Sequence, residues 1–121
     1  MVVYAHISLV EFAPAAAQGV LPTVPRSTQF GTGELITTTN NSQLATLQAN
    51  TATVGSVDPQ RLAWRVAVHA AQPSVAGDRL YVVCGTGSPT ATTAGFMCPP
   101  GTVNYFGVSA IGERIAVLGP A

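Results

Sequence analysis

The sequence predicts an all-β chain: a small antiparallel β-sandwich or a jelly-roll-like barrel, with an extended arm near the N-terminus. Three observations lead there. Apolar residues recur at every second position in the best-patterned segments, the period of a strand with one buried face. Turn-forming residues interrupt the chain roughly every 8 to 15 residues, the spacing of short strands in a sandwich or barrel. Between those turns the chain is rich in β-branched and aromatic residues. A length of 121 residues suits one domain, so residues 1–121 read as a single β domain in which 13–30 form an arm or loop.

Residues 2–12 read as the first strand, because Val3, Ala5, Ile7 and Leu9 alternate with Tyr4, His6 and Ser8. The apolar start superficially suggests a signal peptide. It lacks a basic leading region, and His6 and Glu11 interrupt it, so a strand is the better reading. Pro14, Pro22 and Pro25 remove ladder donors, which makes 13–25 loop, edge or arm, with at most one helical turn at 13–18. Gly31-Thr32-Gly33 reads as a turn before the strand Glu34 to Thr39, which ends at Asn40-Asn41. One or two more strands are expected between Leu44 and Val57, closed by Asp58-Pro59.

The alternation is clearest from Arg61 to His69. Leu62, Trp64, Val66 and Val68 share one face, which places the tryptophan in the core. Arg61, Ala63, Arg65, Ala67 and His69 share the other, which faces water or a partner. Residues 79–84, 103–108 and 114–118 carry the same β-forming character, and Gly112 predicts a tight turn joining the last two.

Only 8% of the residues are charged, against about 25% in ordinary domains. There are five arginines, no lysine and five acids, for a net charge of zero. Five scattered arginines do not build a groove for nucleic acid. No apolar run is long enough to span a membrane as a helix, so neither nucleic acid nor membrane is an expected partner. A neutral surface on a chain that is 47% hydrophobic points to burial against other subunits.

The residues able to carry chemistry have simpler readings. His6 and His69 are the two histidines, each on the outer face of an alternating strand and far apart in sequence. Glu11, Glu34, Asp58, Asp78 and Glu113 are dispersed singly. Gly85-Thr86-Gly87-Ser88 lacks the third glycine and following helix of a dinucleotide loop, so it reads as a turn. Cys84 and Cys98 read as two ordinary thiols rather than a zinc site or disulfide framework. No catalytic, cofactor or metal residue is assigned, and a non-enzymatic protein is expected. Of the aromatics, Tyr81 and Tyr105 are expected to be exposed, as a sugar-binding module would require.

One resemblance is more specific. Arg65-Val66, Tyr81 to Gly85, Ser88-Pro89-Thr90-Ala91-Thr92, Pro99-Pro100-Gly101, Tyr105-Phe106 and Gly112 to Val117 follow one another in that order. Residues 61–118 thereby resemble small β-rich virion structural proteins of tailed bacteriophages. The resemblance implies a virion component assembled in the host cytoplasm, and a head decoration or cement protein is the leading expectation for its place there. Its implied partners are the major capsid protein or other virion proteins, with copies of the chain forming a homo-oligomer. The alternatives are a neck, tail or fibre-base protein, a carbohydrate-binding module for host attachment and, with less to support it, a small hydrolase. The interface is expected at Arg61, Arg65 and His69 and along a loop carrying Ser88, Pro89, Thr90, Thr92 and Phe96.

Overall fold

The computed structural model describes residues 3–14, 23–49, 62–70 and 79–120. Among them are eight strands: β1 (Val3–Pro14), β2 (Thr23–Thr37), β3 (Gln43–Leu44), β4 (Leu62–Ala70), β5 (Leu80–Thr86), β6 (Phe96–Cys98), β7 (Val103–Gly107) and β8 (Glu113–Leu118). They form two four-stranded sheets, ordered β2-β1-β4-β7 and β3-β8-β5-β6, with every pairing antiparallel. The expected all-β sandwich is what the chain adopts. No helix among the described residues is long and apolar enough to cross a membrane.

The strand order shows how the chain is wound. β5 pairs with β6, β4 with β7 and β3 with β8, so these six strands form one nested antiparallel ribbon. The β1–β2 hairpin supplies a fourth pair, and successive pairs fall alternately in the two sheets. That alternation is jelly-roll winding. β1 stands beside β2, where the last strand of an ordinary jelly roll would stand.

The buried faces follow the period of two. Val3, Ala5, Ile7 and Leu9 of β1 and Leu62, Trp64, Val66 and Val68 of β4 point inward. Leu80, Val82, Cys98, Ile115 and Val117 meet them from the other sheet. Trp64 is fully buried, as its place in the alternation predicts. Each large side chain taken from water contributes about 1.5–3 kcal/mol, so the inner faces dominate stability.

Several elements depart from the sequence reading. Residues 13–14 and 23–30, expected as loop or arm, are strand, and Phe12, Ala13 and Pro14 pair with Pro25, Val24 and Thr23. β4 pairs with β1 only as far as Glu11, so these last rungs form a two-stranded ribbon within the chain's own hairpin. Pro25 is tolerated because β2 is an edge strand, and Pro14 because it lies beyond the last rung that β1 shares with β4. Gly31, Thr32 and Gly33, read as a turn, lie inside β2 as a bulge, three residues facing the single Ser8 between the Ile7 and Leu9 rungs. The strand expected over 34–39 stops at Thr37. Of the strands expected over 44–57, only the two-residue β3 at Gln43–Leu44 appears, and 50–57 lie outside the described residues.

Gly112, with φ of +81°, makes the predicted turn. The turn carries the chain from β7 in one sheet to β8 in the other, so the last two strands are not a hairpin. Gly101, with φ of +78°, likewise turns the chain between β6 and β7 across the open side of the sandwich.

Segment 45–49 is tied along β8. Ala45 N donates to Ile115 O and Ala49 N to Glu113 O, both at 2.9 Å. The Arg114 guanidinium closes on the Ala45 carbonyl through Nε at 3.0 Å and Nη2 at 2.7 Å. The Glu34 carboxylate accepts from Thr46 N at 2.7 Å and Leu47 N at 3.2 Å.

Candidate interaction surface

The outer face of the β2-β1-β4-β7 sheet follows from the pairing registers, because directly opposed residues share a side. Leu35, His6, Ala67 and Val103 form one row across all four strands. Ser8, Arg65 and Tyr105 form the next, and Thr37, Tyr4 and His69 the one before. The face thus carries two tyrosines, two histidines, one arginine and exposed aliphatics. Leu35 is 62% exposed, Val103 47% and Tyr105 44%, values that leave broad apolar area in water at the two edges of the sheet.

Arg65 and His69 of the expected interface are on this face, Arg65 half-buried between Ser8 and Tyr105 and His69 exposed opposite Tyr4. Arg61 lies outside the described residues. The face is less open than the alternation implies, since Ala63 and Ala67 are each 4% exposed. Ala67 sits between His6 and Val103, so its methyl group lies below its larger neighbours.

The second half of the expected interface belongs to the other sheet. Ser88, Thr90 and Thr92 are exposed and Pro89 is half-buried in the loop between β5 and β6, while Phe96 opens β6. Ser42 Oγ accepts from Ala91 N at 2.8 Å and fixes the middle of this loop. Phe96 is 57% exposed and meets Phe106 of β7 edge-on, with centroids 5.2 Å apart. That contact links the two sheets at the open side; the loop residues and the Arg65–His69 face otherwise belong to different layers.

The aromatic expectation is met in part. Tyr105 is exposed on the outer face of one sheet, whereas Tyr81, paired with Met97 and Leu118, is half-buried in the other sheet. A common platform of the two is therefore not formed. The histidines do come together in a way that sequence separation conceals. His6 opposes Ala67 and Tyr4 opposes His69, which makes the two histidines diagonal neighbours on one face.

Among the described residues, the two thiols and Glu113 are held within the sandwich. Cys84 and Cys98 are free thiols. Cys98 opposes Leu80, four residues along the strand from Cys84, which puts the two backbones about 13 Å apart, beyond disulfide reach. Burial pushes Cys84 up to about 12, with a further rise from the nearby Glu113 carboxylate and Cys98, and burial alone pushes Cys98 up to about 11. Both are protonated at neutral pH and are poor nucleophiles. Among the described residues no group of three or more His, Cys, Asp or Glu side chains is placed to hold a metal ion.

Glu113, one of the five dispersed acids, is 1% exposed. It accepts from Trp64 Nε1 at 3.2 Å, from Ser109 N at 3.0 Å and from Ser109 Oγ at 2.7 Å. Nothing in the local sequence signals this partnership, because it spans the two sheets.

No protein-family model matches the chain, and no curated protein or solved structure gives a significant match. The resemblance over residues 61–118 rests on motif order alone. The structure sets those motifs out as a strand ending at Thr86, a loop, a turn at Gly101, the aromatic β7 and the final β8.

Proposed function

We propose that this protein is a non-enzymatic assembly component, most specifically a head decoration or cement protein that stabilises a phage capsid through symmetric protein–protein contacts. The observation that carries this reading is exposed apolar side chains on a chain with few ionised groups. Leu35, Phe96, Met97, Val103, Tyr105 and Ile111 are all at least 44% exposed. Water-facing groups of this kind gain most when a partner covers them. The mechanism is added buried interface, with no bond made or broken. Jelly-roll sandwiches serve viral capsids and lectins alike, so the fold agrees with this reading without selecting it.

The test is quantitative protein composition of purified virions from the host that carries the gene. Hundreds of copies per particle support decoration. A dozen or fewer moves the protein to a neck, tail or fibre-base ring, and absence from the particle overturns the reading. A glycan-binding role draws on one specific observation, Tyr105 beside Arg65 on an open face. It requires glycan-array binding that is lost in Tyr105→Ala.

A further inference from the structure

The arginines of the two sheets are served differently. The Arg114 guanidinium closes on the Ala45 carbonyl with two hydrogen bonds, and Arg79 Nη1 donates to Met97 Sδ at 3.3 Å. Arg65 is half-buried on β4, and among the described residues no hydrogen bond or ion pair reaches its guanidinium. The residue directly opposite is in the same position. Ser8 is 2% exposed, yet its hydroxyl has no hydrogen-bond partner among the described residues. Buried polar groups nearly always find a partner, because an unsatisfied one is destabilising.

Both groups lie in one row of the outer face. Beyond Ser8 that row ends in the Gly31-Thr32-Gly33 bulge, whose extra residues fall out of the ladder with β1. The row is thus rich in hydrogen-bond donors: the guanidinium has five and no acceptor. The rows of this face contain no Asp or Glu to answer them. Glu34 is bound to Thr46 and Leu47, and Glu113 is enclosed between the sheets.

We infer that Arg65 and Ser8 form a carboxylate-binding site, whose ligand is an Asp or Glu side chain on the surface of a partner protein. A carboxylate matches the planar fork of a guanidinium, and its single negative charge balances the single arginine of this face. The Ser8 hydroxyl donates a further bond. Opposed side chains on one sheet face start about 4.5–5.5 Å apart, close enough for one carboxylate to engage both. The exposed residues of the adjacent row, Leu35 and Val103, are aliphatic, and the apolar surface of a protein partner covers such groups around a charged contact. Tyr105 is already engaged, and the site does not draw on it. The inference concerns this chain's own donors and holds whether or not the partner is a capsid protein.

NMR of the full chain, following the Arg65 Nε–H and the Ser8 amide, tests it. The probes are N-acetylglutamate N-methylamide, which carries only the side-chain carboxylate, and glucuronate, with sodium chloride as the balancing salt and control. The blocked glutamate shifts both signals saturably, with a millimolar Kd at least as tight as that of glucuronate, and chloride does not. Arg65→Gln weakens this binding at least about tenfold, and Ser8→Ala weakens it about three- to tenfold. Trp64 fluorescence checks that Arg65→Gln is folded. Ser8→Ala melts at or above the wild-type temperature, because it removes a buried hydroxyl that has no internal partner. Weaker binding in a protein at least as stable is a result that a purely structural serine does not give. No saturable shift at several hundred millimolar overturns the inference, as does binding indifferent to Arg65→Gln. A Ser8→Ala protein that melts below the wild type overturns it as well. Tighter binding of glucuronate overturns the assignment to a protein side chain.

Discussion

A carboxylate taken out of water costs several kcal/mol unless hydrogen bonds replace its hydration. Glu113 meets that condition with three donors, and its bond from Trp64 links the start of β8 to the first half of β4 in the opposite sheet. Removing it leaves the indole N–H and the Ser109 N–H without this acceptor. Glu113→Ala therefore lowers stability by about 2–4 kcal/mol, read as the shift in urea midpoint followed by Trp64 fluorescence. Glu113→Gln costs less, about 1–2 kcal/mol, because its carbonyl oxygen still accepts from Trp64. The thiols add a pH dependence. With their folded pKa values raised to about 12 and about 11 from 9.0, the folded state holds more protons than the unfolded state between those limits. Stability falls as pH rises above 9, and the fall is absent from the Cys84→Ala, Cys98→Ala double variant. Urea midpoints at pH 8 and 10.5 make the comparison.

The loop between β5 and β6 depends on a few fixed points. Ser42 supplies the acceptor for Ala91 N, and Ala91 is buried. Ser42→Ala costs about 1–2 kcal/mol and speeds hydrogen exchange at the Ala91 amide, leaving the amides of β4 protected. Gly95 ends the same loop under tighter constraint. A Cβ there would stand 2.8 Å from Val82 O and 2.9 Å from Val83 Cγ2. Since one of those atoms is backbone, Gly95→Ala forces the loop away from β5 and lowers the melting temperature by an amount equivalent to about 1–3 kcal/mol. Differential scanning calorimetry measures it. At the other edge, β2 absorbs Pro25 and its bulges because nothing described pairs with its far side.

At the scale of the whole molecule, jelly-roll winding makes nearly every stabilising contact non-local. β3 must wait for β8, and β1 for β4, before either ladder closes. Loop-closure entropy is therefore spent before the contacts that offset it form, and folding falls in the millisecond-to-second range of sandwiches. Stopped-flow recovery of Trp64 fluorescence after dilution from urea gives that rate directly. A microsecond phase that carries the full amplitude would be incompatible with this winding.

The sequence alone determined what depends on neighbours along the chain. Period-two alternation placed Trp64 inside and Arg65 and His69 outside, since successive strand side chains must point to opposite faces. Glycine marked the turn at Gly112 because a positive φ is strained for other residues. Tertiary structure decided whatever depends on which strand lies beside which. Gly31 to Gly33 became a bulge only because β1 runs alongside them. His6 became a neighbour of His69, and Glu113 a partner of Trp64, only through registers set by distant hydrophobic faces. Strand pairing is a bargain between segments tens of residues apart, and local preference carries no record of the partner.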